Sequence, residues 1–299
     1  PNNVGFYAYF RELEKITSAL DMDVHLPSYP TIKGYINEEY NSLGLQAYIP
    51  KIHTATAQME DLTIEMNNEL DALDLSVYIF NRLPKDNPTA AKIGDVKAHM
   101  NFTARENELD MTISLDNTDS IRNAGEIQVG ALLQQYNNKP QAHIHIQPTE
   151  IILNDSIWAI NGSDIIYTVA EKKMDIRNFS INTDFQRIAA NGIASTNPND
   201  SIEVELQHID LQYLLGYTEA SNAISVQGPL SGWAKIYGLF AQPMIEANAL
   251  LPHAGLNGTY LGDVTATAYL DREAKAIIIN GEAIDSTNHK VVDVQGKVI

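Results

Sequence analysis

The sequence predicts an all-β fold, a long antiparallel meander of strands curled into a groove, with one amphipathic helix near the N-terminus. Most of the chain alternates apolar and polar residues with a period of two, which is typical of strands with one dry face. Short polar turns separate these segments, as antiparallel hairpins require. At one strand per roughly 10 to 15 residues the chain holds about 20 strands, whereas an open twisted sheet seldom exceeds about 10, so the sheet is expected to curl.

The predicted helix comes first along the chain. In GFYAYFRELEKITSAL, apolar side chains recur at helical spacing. The residues that share this predicted face are Phe6, Phe10, Leu13, Ile16 or Thr17, and Leu20. We therefore expect a helix within residues 5–21, in a segment 1–22 that packs on the sheet.

Strands are expected over the remaining residues 23–299, as one continuous curved sheet with a subdivision near residue 140 or 220 left open. The clearest alternation lies in residues 73–79, 109–115, 202–206 and 264–270. Turn signals such as Asn67-Asn68, Asn137-Asn138 and Asn197-Pro198-Asn199-Asp200 separate such segments. The stretch VQGPLSGWAKIYGLFAQPMIEANALL, residues 226–251, alternates on both sides of a break at Gln242-Pro243 and predicts a hairpin.

Composition and charge exclude several classes of function. The net charge is -18 with only 20 Lys and Arg, which argues against nucleic acid and against a polybasic grip on anionic lipid headgroups. The chain has no Cys, so disulfides, thiolate nucleophiles and Cys-based zinc sites are excluded. No apolar run approaches the about 20 residues that span a bilayer, and we expect a soluble piece of a longer protein.

Candidate catalytic and metal-binding residues are few, and no common nucleotide, protease or hydrolase motif is present. His143 and His145 share one face of a predicted strand, but without further ligands they read as part of a polar face. Glu203 and Glu205 lie on the outer face of another strand, where no burial would separate their pKa values. We therefore expect no enzymatic activity, no metal and no cofactor.

Two stretches carry a resemblance to a known family. The first is IHIQPTEIILNDSIWAINGSDIIYTVAEKKMDIRNFSINTDFQRIAANGIAS, in which an Asn-Asp turn leads into a strand bearing Trp158. Asn178, Phe179 and Gly192 continue its pattern. These features resemble the TamB and AsmA-like family of envelope proteins, also described as the translocation and assembly module family.

The second stretch runs from residue 226 to LNGTYLGDVTATAYLDREAKAIIINGEAIDSTNHKVVDVQGKV. A family pattern of G-x-L-x-G, a further Gly and x-x-P-x-I is matched here, and Leu261-Gly262-Asp263 resembles its G-D strand entry. The matching residues are Gly228, Leu230, Gly232, Gly238, Pro243 and Ile245. The resemblance covers residues 140–299 best.

The resemblance implies a periplasmic β-groove, often called a β-taco, in a protein anchored in the inner membrane. It implies phospholipid acyl chains as the ligand, carried between the inner and outer membranes, with an outer-membrane barrel protein as partner. Support of outer-membrane biogenesis is the other role that it implies. Physically, a sheet with one dry face and no second layer exposes apolar surface that acyl chains can cover.

Ten apolar residues are predicted to line this groove on one shared face. They are Ile236, Ile245, Ala247, Ala249, Leu251, Val264, Ala266, Ala268, Leu270 and Ile278. An alternative stays open, in which the chain is an envelope β-sandwich or β-helix domain that fills its own core and binds glycans or proteins. An apolar lined cavity would favour the groove, whereas clustered exposed aromatic residues would favour the alternative.

Overall fold

The computed structural model describes residues 3–11, 15, 17, 26, 29–53, 58–68, 71–82, 95–117, 121–211, 225–271 and 276–298. It confirms the all-β prediction, because the strands form one antiparallel meander of 21 strands. The strands are Asn3–Tyr9 (β1), Thr31–Asn37 (β2), Ser42–His53 (β3), Gln58–Asn67 (β4), Leu73–Arg82 (β5), Val96–Arg105 (β6), Glu108–Asn117 (β7), Ala124–Tyr136 (β8), Lys139–Ile146 (β9), Thr149–Leu153 (β10), Ser156–Ile160 (β11), Ser163–Thr168 (β12), Lys173–Asn182 (β13), Arg187–Ala194 (β14), Ser201–Asp210 (β15), Val226–Gln227 (β16), Pro229–Tyr237 (β17), Met244–Leu256 (β18), Thr259–Asp271 (β19), Ala276–Ile284 (β20) and Lys290–Val298 (β21).

The predicted N-terminal helix is wrong in its first part. Residues 5–9 belong to β1, which pairs with β2 in antiparallel register from end to end. The physical reason is that this stretch also alternates with period two, since Val4, Phe6 and Ala8 fall on one side of the strand. Pairing with β2 satisfies the backbone groups and outweighs the helical spacing, which rests mainly on residues further along the chain.

The rest of the predicted helix, residues 12–14, 16 and 18–21, lies outside the described residues. Lys15, Thr17 and Leu211 have helical backbone as single described residues, but no α-helical element is present in the described part of the chain. One turn of 3-10 helix, Val169–Glu171, connects β12 and β13. The described residues include no helix with the length and apolarity that crossing a bilayer requires.

The chain divides into two compact units. The first consists of Pro1–Leu132 and Thr149–Ile157, and the second of Leu133–Pro148 and Trp158–Ile299. In the first unit, β1 to β8 pair in chain order, each antiparallel to the next, and β10 pairs with β8. The predicted boundaries at residue 22 and near 140 or 220 stay predictions.

The second unit is also a meander. Its strands pair in the order β9, β12, β13, β14, β15, β17, β18, β19, β20 and β21. The strands β11 and β16 add short pairings to β13 and β18. The strands predicted over residues 73–79, 109–115, 202–206 and 264–270 lie within β5, β7, β15 and β19.

Tight turns join several hairpins. In three of them both central residues have positive φ, between 48° and 78°, as a type I′ turn requires. Asn, Asp and Gly tolerate this region better than other residues do, which explains their use here. The three turns are Asn137-Asn138, Asn154-Asp155 and Asn257-Gly258.

Among the irregularities that interrupt the register of the second unit, three β-bulges in β13, β15 and β18 share one construction. Each contains a residue with φ between 52° and 58°. The backbone N–H of each of these residues donates to a side-chain oxygen of the next strand, so this amide keeps a partner despite the bulge. The pairs are Asn178 with Asn191 at 2.6 Å, His208 with Ser231 at 2.9 Å, and His253 with Asp263 at 2.9 Å.

Few large side chains are buried in the described residues. Thirteen hydrophobic residues are buried there, and seven of them are Ala. No Val, Phe, Met or Tyr side chain of the described residues is buried, although Val, Phe and Met are among the types most often found in protein cores. The buried hydrophobic residues larger than Ala are Ile52, Trp158, Ile160, Ile202, Ile209 and Leu251.

Candidate functional site: the apolar sheet face

The strand register determines which side chains of the first unit share a face, because directly opposite residues of paired strands point to the same side. Two neighbouring rows cross all eight strands from β1 to β8 and contain no polar side chain. The first row is Ala8, Ile32, Ala47, Ile64, Val77, Met100, Ile113 and Ile127. The second row is Phe6, Gly34, Leu45, Met66, Leu75, Phe102, Met111 and Val129.

These two rows form the apolar face of the first unit. None of their residues is buried: Phe6 is exposed, and the others are half-buried. In a layered domain such rows would be covered by a second sheet or by helices. Here the side chains keep part of their apolar surface accessible.

The opposite face of the first unit is polar and hydrogen-bonded across the strands. Ser76 Oγ donates to Asn101 Oδ1 at 2.6 Å, and Thr103 Oγ1 donates to Asp74 Oδ1 at 2.6 Å. Gln46 donates to the carboxylate of Glu65 on the neighbouring strand. These bonds hold the polar face in register, so the apolar side chains are displayed on a defined sheet.

The second unit has an apolar face of the same construction but with smaller side chains. One row is Phe179, Ala190, Val204, Ala234, Ala247, Ala268, Ile279 and Gly296. The next row is Ile181, Ile188, Leu206, Gly232, Ala249, Ala266, Gly281 and Val294. Ala and Gly dominate from β17 to β20, so less side-chain volume stands above the sheet there.

The register brings nine of the ten predicted lining residues to this apolar face. Five cross-strand pairings fix their side: Ile236 with Ile245, Ala247 with Ala268, Ala249 with Ala266, Leu251 with Val264, and Leu270 with Ile277. Ile278 does not share the face, because it lies opposite Tyr269 on the polar side. Three consecutive isoleucines, residues 277–279, make the alternation ambiguous at that point. That these residues line a groove stays a prediction.

The histidine pair lies on the polar face of the second unit. His145 Nδ1 is 2.9 Å from Asp164 Oδ1, and His143 Nε2 is 3.8 Å from the same oxygen. All three side chains are exposed, and no group of three or more potential ligands with metal-site geometry occurs among the described residues. The two histidines and Asp164 therefore form an exposed polar cluster, in which His145 is hydrogen-bonded to Asp164.

The two predicted surface carboxylates are paired with cations. Glu203 lies 3.3 Å from Lys235, and Glu205 lies 2.9 Å from Arg187. Nearby on the same face, the pKa of Tyr237 is raised by desolvation and by its hydrogen bond to Glu246. These ion pairs neutralise part of the negative charge along the polar face. The apolar rows on the other side of the sheet contain no charged residue.

Sequence reasoning missed the apolar rows of the first unit, although the same alternation was available there. Residues 73–79 and 109–115 were predicted as strands, but nothing in the sequence showed which strands lie opposite. The register is a long-range property, and a shift by one residue would move every side chain to the other face.

Comparisons of the chain with protein-family models, with curated proteins and with solved structures found no match.

Proposed function

We propose that this chain is a non-enzymatic module of a TamB/AsmA-like envelope protein, whose apolar sheet face holds the acyl chains of phospholipids. The observation that carries the proposal is the pair of apolar rows across β1–β8, which contain no polar side chain and no buried one. A soluble domain that displays such a face needs an apolar occupant, since water disfavours the surface by about 25 cal/mol per Å².

The size of the face suits hydrocarbon chains. Eight strands at about 4.8 Å each span about 34 Å, and two rows cover about 14 Å along the strands, giving roughly 500 Å². That area lies at the upper end of the apolar patches found on ordinary monomers, where such patches mark interaction sites. One leaflet of a bilayer core is about 15 Å thick, so the rows could take two acyl chains end to end.

The headgroup is expected to stay outside the apolar rows. No charged side chain lies in either row, and a phosphate placed there would lose its hydration without a partner. The net charge of -18 gives anionic headgroups no general attraction to the chain.

The biological role follows from the family resemblance carried by residues 140–299. It implies a periplasmic location, in a chain anchored in the inner membrane, and a role in carrying phospholipid between inner and outer membranes or in supporting outer-membrane biogenesis. An outer-membrane barrel protein is the partner that this role implies. The small number of large buried side chains favours this role over a sandwich that fills its own core.

Neighbouring residues of β7 provide the test. Ile113 points to the apolar face and Thr112 to the polar face, and both are half-buried. Ile113→Asp should lower the amount of phospholipid that copurifies with the chain several-fold, because a carboxylate on the apolar rows opposes hydrocarbon contact. Thr112→Asp adds the same charge on the other side and should leave lipid content unchanged. Native mass spectrometry before and after organic extraction measures both.

Two results would contradict the proposal. One is a chain that carries no lipid after purification and takes none up from vesicles. The other is an equal loss of lipid in both variants while their thermal melting stays normal.

A further inference from the structure

The polar face of the first unit carries a second ordered row. It runs across β1 to β8 next to the apolar rows but on the opposite side of the sheet, and it alternates tyrosine with hydroxyl residues over the first five strands. The row is Tyr9, Thr31, Tyr48, Thr63, Tyr78, His99, Ser114 and Glu126. We call Tyr9, Tyr48 and Tyr78 the tyrosine row.

Each ring of the tyrosine row is exposed, yet a local contact holds it. Tyr48 is 38% exposed, and its hydroxyl donates to Asp61 Oδ1 at 2.7 Å. Tyr78 is 42% exposed and stacks on His99, with ring centroids 3.9 Å apart and planes at 11°. Aromatic rings that are both exposed and fixed lose little freedom when a ligand binds.

Tyr9 at the end of the row is held in the same manner. Tyr9 is 46% exposed, and its ring centroid is 5.5 Å from that of Tyr29. The guanidinium carbon of Arg11 lies 5.9 Å from the ring centroid of Tyr9. The hydrogen bond to Asp61 also raises the pKa of Tyr48, so that phenol stays protonated throughout the physiological range.

The spacing of the tyrosine row is regular. Successive tyrosines lie two strands apart, which corresponds to about 10 Å in the hydrogen-bonding direction of the sheet. This distance suits every second ring of an extended β-1,4-linked glycan. We propose that the tyrosine row is a binding track for a linear glycan of β-1,4-linked pyranose rings, laid across the strands.

Polar side chains flank the row as a sugar would require. The adjacent row on the same face presents Lys33, Gln46, Glu65, Ser76, Asn101 and Thr112. This row contains both donors and acceptors, and sugar hydroxyl groups can serve as either. A pyranose ring thus finds aromatic surface for its C–H groups and hydrogen-bonding groups for its edge.

A cleft of about 650 Å³ lies at the end of the track, within the size range of ligand sites. Its walls include two polar-face rows, one of Tyr78, His99 and Ser114 and the other of Phe80, Lys97 and Asp116, and Asp61 adds a carboxylate.

A neutral glycan fits this face better than a phosphorylated ligand. The carboxylates of Asp61, Glu65 and Asp116 border the row and the cleft, and the whole chain has a net charge of -18. Phosphate groups would be repelled by this field, whereas hydroxyl groups donate to carboxylates. Glycan binding is independent of the proposed lipid binding, since the two surfaces lie on opposite faces.

Titration of the whole chain with chitohexaose and cellohexaose tests the track by calorimetry. At least one of these β-1,4-linked hexamers should bind more tightly than maltohexaose, whose α-linked chain coils. Tyr48→Ser and Tyr78→Ser should each raise Kd about tenfold, whereas Tyr78→Phe keeps the aromatic ring and should leave Kd unchanged. Tyr136→Ser removes a tyrosine that is 63% exposed but outside the row, and it should change nothing.

Amide chemical shifts of the unaltered chain give a readout that does not depend on folding of a variant. The bound hexamer should move the resonances of Thr31 and Thr63, which lie between the tyrosines, more than those of Ile32 and Ile64 on the apolar face. The proposal is overturned if neither β-linked hexamer binds, if maltohexaose binds equally well, or if Tyr136→Ser weakens binding as much as Tyr48→Ser does.

Discussion

At the scale of the residue, the side of the sheet decides what a side chain can do. Ile113 and Thr112 are neighbours in one strand, yet one belongs to an apolar row and the other to a hydrogen-bonded polar row. A single added carboxylate should therefore lower the lipid content at Ile113 and leave it unchanged at Thr112. This is the basis of the lipid-content test with Ile113→Asp and Thr112→Asp.

A second residue-scale effect concerns Asp285 in the turn between β20 and β21. Its carboxylate accepts backbone N–H bonds from His289 at 2.9 Å and Thr287 at 2.8 Å, and the Thr287 hydroxyl donates at 2.7 Å. The bond from the His289 amide, followed by that from the Thr287 hydroxyl, lowers the pKa of Asp285 below its ordinary value. The folded state therefore favours the ionised carboxylate.

We predict a pH-dependent effect of Asp285→Asn. Because the folded pKa is depressed, the stabilisation is complete above the unfolded pKa and is lost as pH falls through the folded pKa. The variant should melt at a lower temperature than the parent chain near neutral pH, and the two should converge in acid below the folded pKa. Asp184→Asn is the control, since the carboxylate of Asp184 accepts no hydrogen bond from the described residues. A melting difference that stays constant down to low pH would refute this account.

The side of the sheet on which a residue lies could be predicted from alternation within its strand, but neighbours on other strands could not. Nine predicted lining residues share a face because the alternation in β17, β18 and β19 leaves one choice. The side of Ile278 was not predicted correctly, because Ile277 and Ile279 beside it are equally apolar. Only the pairing with β19 decides which of the three isoleucines lie on the apolar face. The tyrosine row was not predicted, since its members are distant in sequence and meet only through the register.

At the scale of the element, bulges and glycines shape the strands of the second unit. Gly262 has φ +100°, and a Cβ built there would lie 2.0 Å from the carbonyl oxygen of Ile284. The next residue, Asp263, accepts the N–H of the bulged His253. The Gly-Asp pair that carried part of the family resemblance thus has a physical role: it allows a close approach of strands and closes a bulge.

We predict that Gly262→Ala lowers the free energy of unfolding by more than about 1 kcal/mol, because it combines a disfavoured φ with a backbone clash. Gly281→Ala on the neighbouring strand is the matched control, since its nearest neighbour would be Thr265 O at 3.8 Å. Its effect should stay under about 1 kcal/mol in either direction. Urea denaturation of both variants measures the difference, and equal losses would contradict the assignment.

Strands could be predicted where apolar residues follow a period of two alone. They could not be predicted where the same residues also fit the helical period. Residues 109–115 alternate without interruption and form a strand as predicted. Residues 5–9 satisfy both periods, and the partner strand β2 settles the outcome. The bulges at His208 and His253 could not be predicted, because each bulge depends on a side chain of the neighbouring strand.

At the scale of the whole molecule, a strongly acidic chain displays apolar rows. The charge of -18 sets the conditions under which lipid could be collected, because a bilayer of anionic lipid repels the chain at long range. Salt shortens the range of this repulsion, because the Debye length is about 10 Å at 0.1 M. The apolar contact itself carries no charge and should depend little on salt.

We predict that lipid uptake from phosphatidylglycerol vesicles accelerates several-fold between about 0.01 M and 0.1 M salt, where the Debye length falls from about 30 Å to about 10 Å. Uptake from phosphatidylcholine vesicles should change much less over the same range. A fluorescent-lipid transfer assay measures both rates. Faster uptake from anionic vesicles at the lowest salt would mean that a basic surface, not the apolar face, directs the encounter.

The central claim is that hydrocarbon lies on one face of the sheet, and site-specific photocrosslinking tests it most directly. A photoreactive amino acid is placed at Ala247 or Ala266 on the apolar face, and at Asn248 or Thr265 on the polar face of the same two strands. After irradiation in the presence of phospholipid, mass spectrometry should detect lipid adducts at the two alanine positions and none at the polar positions. Equal adduct yields on both faces would contradict the account.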